Sequence, residues 1–294
     1  MSLRLGVVCT LLALWGSAAW LSADDAGRKL KRKLPDISPQ VVAERAAITA
    51  RATSPAPLCE DESTHPLQPA VKWAREGLNA LEKIEDYSAT LVKRERINGK
   101  LGEYEQMFVK IRHKPFSVYM YFLVPADLKG QEVIYVEGRN NGNMWAHTVG
   151  FRDKMVGTLS LPPTGMIAMT GQRYPITEAG VLNLTRRLIE VGEYDMQFGE
   201  CEVKFIKNAK INNRVCTCIQ VVHPEPRKEF LFHLARIFVD DELNIPIRYE
   251  AHDWPSEPGG APQLLEEYTY LNLKLNNGFT DLDFDIKNPN YKFR

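Results

Sequence analysis

Cys216 and Cys218, two positions apart with His223 close behind, are where soft ligand types gather most densely in this chain. Thiolate and imidazole donors could hold zinc. Structural zinc sites, however, draw their four ligands from two spaced pairs, and no second cysteine pair follows. Asp281, Asp283 and Asp285 alternate like the first ligands of a calcium loop. Such a loop needs Gly at its sixth position and a bidentate Glu at its twelfth, and here Ile286 and Lys292 stand there. The aspartates read better as one face of a strand, with Leu282, Phe284 and Ile286 on the other. Glu266 and Glu267 are adjacent, so on a strand they point to opposite faces and cannot work as a paired acid and base. The six histidines (65, 113, 147, 223, 233, 252) are scattered singly. There is no Gly-x-Ser-x-Gly elbow, no phosphate-cradling glycine loop and no His-Glu-x-x-His pair. The expectation is a non-enzymatic protein with no catalytic residue, no metal and no cofactor. A sequon at Asn183-Leu184-Thr185 falls inside a predicted helix and is discounted as a glycosylation site.

The chain carries apolar mass where it lacks chemistry. Tyr119, Tyr121 and Phe122 share one segment, Phe230, Phe232 and Phe238 another, and Tyr268 and Tyr270 a third. An apolar concave sheet face under helical lids would offer a cavity for an apolar ligand. An ordinary packed core would show the same residues.

The elements follow from periodicity. From Pro69, residues Val71, Ala74, Leu78 and Leu81 fall at helical spacing against Lys72, Arg75, Glu76 and Glu82, which predicts an amphipathic helix. The pattern then switches to period two. Strands are expected over 87–97, 103–112, 116–124, 131–137 and 144–149, punctuated by Asn98-Gly99 and Asn140-Asn141-Gly142. Residues 178–191 return to helical spacing, with Thr177 as N-cap and Gly192 as the closing residue. Further strands are expected over 201–211, 215–223, 230–239, 245–252 and 264–275, with a short last one near Phe284. Successive antiparallel hairpins, about ten or eleven strands in all, predict a β-rich α+β fold: a strongly curved antiparallel sheet or half-open β-barrel, its concave face covered by an N-terminal and a mid-chain helix.

The remaining sequence concerns location. Met1 to Arg4 is a short basic start, and Leu5 to Ala23 runs nineteen residues without a charge and ends on a small residue. This reads as a secretory signal peptide over 1–23, with an uncleaved anchor as the alternative. Residues 24–66 form a basic, Pro-rich tether whose cluster Arg28, Lys29, Lys31, Arg32 and Lys33 could meet a membrane surface or remain solvated. Residues 67–294 are expected to be a single domain. Export would leave Cys59, Cys201, Cys216 and Cys218, enough for two disulfides with three possible connectivities. Cys216 and Cys218 share a strand face and cannot easily bond each other. Lys plus Arg and Asp plus Glu each number 37, so the chain offers no basic field for nucleic acid.

Particular wording adds a resemblance. Lys114-Pro115-Phe116-Ser117-Val118-Tyr119, then Val133 to Gly138 leading to Met144-Trp145-Ala146-His147, then Ile237-Phe238-Val239-Asp240 to Ile245-Pro246-Ile247-Arg248-Tyr249, then Tyr270-Leu271-Asn272 with Phe284 and Asn288-Pro289, are similar in order to the LolA/LolB-like superfamily of lipoprotein carriers. The match covers roughly residues 69 to 290. Val92-Lys93-Arg94-Glu95-Arg96 and Leu265-Glu266-Glu267-Tyr268-Thr269-Tyr270 more narrowly resemble an exported bacterial family, domain of unknown function 1571. The resemblance implies a helix-capped half-barrel with a cavity for lipid or lipoprotein acyl chains, in the periplasm or cell envelope. In the carriers a basic residue beside the Pro handles ligand; here that position is Lys114, a point charge in place of the planar fork of Arg. The expected lining is therefore Phe108, Lys114, Tyr119, Tyr121, Trp145, Leu184, Leu188 and Phe232. The function expected is an exported apolar-ligand binder or carrier. The alternative is an envelope sensor or interaction protein on the same fold, its basic tether touching membrane or a protein partner.

Overall fold

The computed structural model describes residues 65–150 and 157–293. The expected signal peptide and the expected tether up to residue 64, with Cys59 and the basic cluster, lie outside them. Helix α1 (Gln68–Leu81) opens the described chain with Pro69 in its first turn, and it buries Ala70, Gly77 and Leu81. Strands β1 (Asp86–Ile97), β2 (Lys100–Leu101), β3 (Glu105–Arg112), β4 (Ser117–Val124), β5 (Glu132–Val136), β6 (Met144–His147) and β7 (Thr158–Leu161) follow. Helix α2 (Val181–Asp195) then leads to β8 (Glu202–Ile211), β9 (Arg214–Val222), β10 (Leu234–Asp240), β11 (Ile245–Asp253) and β12 (Gln263–Leu275).

The twelve strands of the described residues form one antiparallel sheet in the order β7-β6-β5-β4-β3-β1-β12-β11-β10-β9-β8, with β2 paired to β1. The topology is two meanders. The first runs from β1 outward to β7; the chain then passes through α2, begins the far edge at β8 and meanders back until β12 seals against β1. The edges β7 and β8 do not pair, so the sheet stays open. The asparagines at the tight turns, including Asn98, Asn141 and Asn212, take positive φ, the left-handed backbone that Asn tolerates better than most residues. Among the described residues no helix is long and apolar enough to cross a membrane.

Several expected elements are corrected. The mid-chain helix spans Val181–Asp195 rather than 178–191. Ile176–Glu178 forms a separate 3-10 turn, and Gly180, at φ 105°, holds the N-cap position instead of Thr177. Gly192 sits inside the helix rather than closing it. A Cβ there would stand 2.9 Å from Val71 of α1, so Gly is what lets the two helices cross closely. The expected last strand is a 3-10 turn, Asp281–Phe284, capped reciprocally by Thr280 and Asp283. Phe230 and Phe232 precede β10 rather than opening it, and β6 stops at His147. The short strands β2 and β7 had no expectation.

Candidate functional site

Strand alternation sends each residue to one of two faces, and the two faces have been treated differently. Along β1 the residues Ala89, Leu91, Lys93 and Glu95 share the face that also carries Met107 and Val109 of β3, Met120 and Phe122 of β4, Val133 of β5, and Met144 and Ala146 of β6. Across this face lies a cavity of about 1170 Å³. Its walls include Leu159 and Leu161 of β7 and also Tyr249 and Ala251 of β11. Those strands are seven neighbours apart, roughly 34 Å in a flat sheet at about 4.8 Å per strand. For both to line one cavity the sheet must bend around it, so this face is concave. Residues 163–180 and α2 form the roof. The roof is pinned where the backbone N–H of Val181 donates to the hydroxyl of Tyr87, at 2.9 Å.

The floor is not uniform. Leu91 lies opposite Met107 on one side and Tyr270 on the other, and Met107 lies opposite Phe122. One step along the strands the apolar rung gives way to a polar one, where Lys93 stands between Glu105 and Tyr268. The next step pairs Glu95 with Glu266. Lys93 Nζ is 3.2 Å from Glu95 Oε2 and 3.5 Å from Glu105 Oε2. The roof reaches down to this end: Arg173 Nε pairs with Glu266 Oε2 at 2.7 Å, the Tyr174 hydroxyl donates to Glu266 Oε1 at 3.1 Å, and Lys93 donates to Gln172. Burial raises the carboxyl of Glu105, against the pull of Lys93, and burial likewise raises Glu266, against Arg173.

A smaller cavity of about 90 Å³ lies between the two helices and strands β9 to β11, and it shares the wall residues Leu188, Val191 and Phe232 with the larger one. At its end Asp195 Oδ2 stands 3.2 Å from Nε2 of His223, both fully buried. Burial pushes the imidazole down to about 4 and the carboxyl up to about 6, so each resists charge.

The opposite, convex face is filled by the protein's own C-terminal segment. Residues 279–293 lay Phe284 and Tyr291 over Tyr119, Ile134 and Val136. Tyr119 and Tyr291 stack at 4.1 Å between ring centroids. Polar contacts fix the register: the Phe279 backbone N–H to Asp86 at 2.9 Å, Lys110 Nζ to Asp283 at 2.7 Å, Asp281 to both Arg112 and Arg139 at 2.8 Å, and the Lys292 backbone N–H to Glu132 at 2.7 Å. Further along, Arg236 bridges Gln220 and Glu250, and Arg248 bridges Glu250 and Glu267, so the face continues as a charged ladder across β9 to β12.

Against this geometry the expected lining divides. Leu184, Leu188 and Phe232 line the large cavity. Phe108, Tyr119, Tyr121 and Trp145 are corrected to the convex face, beneath the C-terminal segment. Lys114 stands outside the cavity, in the turn between β3 and β4 beside the cis Lys114–Pro115 bond. The residues missed are Met107, Met120, Val133 and Met144, aliphatic and sulfur side chains rather than rings, and the charged rung Lys93, Glu95, Glu105 and Glu266. The hairpin at Asn98-Gly99 fixes Leu91 opposite Met107 and Lys93 opposite Glu105, and was the signal available for them. Cys201, Cys216 and Cys218 are free thiols. By strand parity Cys216 and Cys218 leave the sheet on the face opposite His223, and among the described residues no group of three or more His, Cys, Asp or Glu could hold a metal ion.

An open antiparallel sheet of twelve strands wrapped around a cavity, with two helices across it, places the protein in the curved half-barrel class. Residues 84–293 match the family described as protein of unknown function DUF1571, and the chain belongs to that family. Among solved structures it is similar to the lipoprotein LppX of Mycobacterium tuberculosis, with 14% identity over 74% of this chain and 100% of that one and a TM-score of 0.41. It is similar to a DUF1329 family protein of Desulfovibrio piger, with 13% identity over 76% and 98% and a TM-score of 0.37. A LolA superfamily protein of Nitrosomonas europaea gives 10% identity over 72% and 97% and a TM-score of 0.31. No curated protein sequence matches the chain significantly.

Proposed function

We propose that this protein is an exported, non-enzymatic binder of an apolar ligand, a lipid or lipoprotein acyl chain, held in the concave cavity and carried or presented within the cell envelope. The observation that carries the reading is the cavity itself. At about 1170 Å³ it exceeds the roughly 300–1,000 Å³ of ordinary small-ligand sites. Its floor of Leu91, Met107, Met120, Phe122, Val133 and Met144 offers flexible, polarizable surface that adapts to a chain better than to a rigid ring. Met166 and Ile167 on the roof and Leu231 near β10 remain exposed, at 89%, 69% and 58%. Apolar side chains beside the cavity suit the passage of a chain in and out. Residues 1–23 serve as the export signal in this reading, and 24–66 as a tether whose Arg28–Lys33 cluster approaches anionic lipid. Organic extraction of natively purified protein followed by mass spectrometry tests it. An acyl lipid at near-stoichiometric amount is expected; an extract without lipid, from protein that also takes up no apolar fluorescent probe, would overturn it.

A further inference from the structure

The polar end of the cavity suggests what kind of head the bound chain carries. Glu95, Glu105 and Glu266 face the cavity there with Lys93 and Arg173, so carboxylates outnumber cations by one. The groups are withdrawn from water: side-chain exposure is 8% for Lys93, 6% for Glu95, 19% for Glu105 and 6% for Glu266. Both cations are already engaged, Lys93 by Glu95, Glu105 and Gln172 and Arg173 by Glu266. Glu105 Oε2 accepts no hydrogen bond, although Lys93 Nζ pairs with it at 3.5 Å and is shared with Glu95. The other arginines of the lining, Arg186 and Arg187, are about half exposed and paired with Glu82 and Glu190, where water screens them. An acceptor surplus in a water-poor wall opposes a second anion and favours a donor.

Resting on the reading of the cavity as an acyl-chain site, we propose that this wall selects amphiphiles whose head donates hydrogen bonds and carries no negative charge, such as the hydroxyls of an acylglycerol. The chain then lies along the Leu91, Met107 and Phe122 rung, and the head meets Glu105, since the oxygens of Glu95 and Glu266 are taken by Lys93, Arg173, Tyr174 and Tyr268. Anionic heads of the same chain length are turned away by the excess of one carboxylate over the two shared cations.

The test is displacement of a neutral fluorescent probe, N-phenyl-1-naphthylamine, by monolauroylglycerol and by laurate at pH 8, both below their aggregation limits. Monolauroylglycerol is expected to compete at about tenfold lower concentration, the scale of one unfavourable like-charge contact. Glu105→Gln, which leaves the Arg173–Glu266 contact in place, should shrink that ratio at least threefold by admitting laurate, whereas Glu105→Asp should preserve it. Equal competition by the two ligands on the unmodified protein, or an unchanged ratio in Glu105→Gln, overturns the head selection while leaving the cavity reading intact. Failure of the probe and of both ligands to bind removes the cavity reading and this inference together.

Discussion

The two faces of one sheet differ in how their apolar surface is satisfied. The convex side between β3 and β6 is closed by residues 279–293, which supply Phe279, Phe284, Tyr291 and Phe293 as rings and Asp281 and Asp283 as anchors. The concave side is roofed but hollow, with no segment of the described chain filling the space between the floor and α2. On the convex side the tail stacks its rings on the rings of the sheet, whereas on the hollow side Leu91, Met107, Met120, Val133 and Met144 are interleaved with Phe122, Tyr249, Tyr268 and Tyr270 and face open space. A side chain buried by the protein itself contributes to folding; one facing a cavity is available to a ligand. The two faces should therefore respond differently to substitution.

The largest difference is expected in stability. Phe284 is 1% exposed between the tail and the sheet, and Phe284→Ala should cost about 3–5 kcal/mol in urea unfolding. The same truncation at Met120, on the cavity floor, should cost much less, because it faces space that is already empty. Gly180→Ala tests the roof. A Cβ at φ 105° would stand 2.7 Å from the Tyr87 hydroxyl that holds the start of α2, and a loss of about 1–3 kcal/mol with faster amide exchange along α2 is expected. Ala146→Phe fills part of the cavity. In a packed core such an insertion costs about 1–3 kcal/mol, whereas here stability should change by less than about 1 kcal/mol while the capacity for an apolar probe falls.

The smallest difference is in pH response, where the faces should have opposite signs. Burial acts to raise the carboxyl of Asp283, but its bonds to Lys110 and to the Thr280 backbone outweigh this and hold it below the ordinary carboxylate range. Its contribution is therefore present above the unfolded value and lost as acid takes the pH down through the folded one. Protease sensitivity of the C-terminal segment should rise on strong acidification, and Asp283→Asn should flatten that rise. The carboxyls of Glu105 and Glu266 are raised, so each binds its proton more readily in the folded chain than in the unfolded one. Their contribution to stability is present in acid and lost as the pH rises through the raised values. Glu105→Gln should remove part of that loss, seen as a higher unfolding midpoint near neutral pH with little change in acid.

Much of the fold was legible in the residues. Asn98-Gly99 gave the first hairpin, alternation gave β1, β3 and β4 within a residue or two, and Pro69 with the Val71–Leu81 stripe gave α1. The last strand failed because Asp281 to Ile286 alternates like a strand while Thr280 and Asp283 cap each other around a tight turn, a local hydrogen-bond preference that periodicity does not register. The candidate site was only partly legible. Ser117 to Val124 is apolar on both faces, so alternation assigns Tyr119 and Met120 to opposite sides without saying which side is hollow. Ring mass pointed to Tyr119, yet rings also need packing partners, and the tail had four to offer. Leu184 and Leu188 reached the cavity from the half-buried flank of α2, beside its buried stripe, and Phe232 reached it from the segment just before β10. The charged rung at Lys93 and Glu105 was hidden because charges on alternating strands ordinarily read as solvated.

The hollow face is the central feature of this protein, and native mass spectrometry of the intact, natively purified protein tests it most directly. A mass above that of the polypeptide by one acyl lipid is expected, released on denaturation and diminished in Ala146→Phe. A mass equal to the bare polypeptide in both proteins, with no uptake when acyl lipid is supplied, would contradict it.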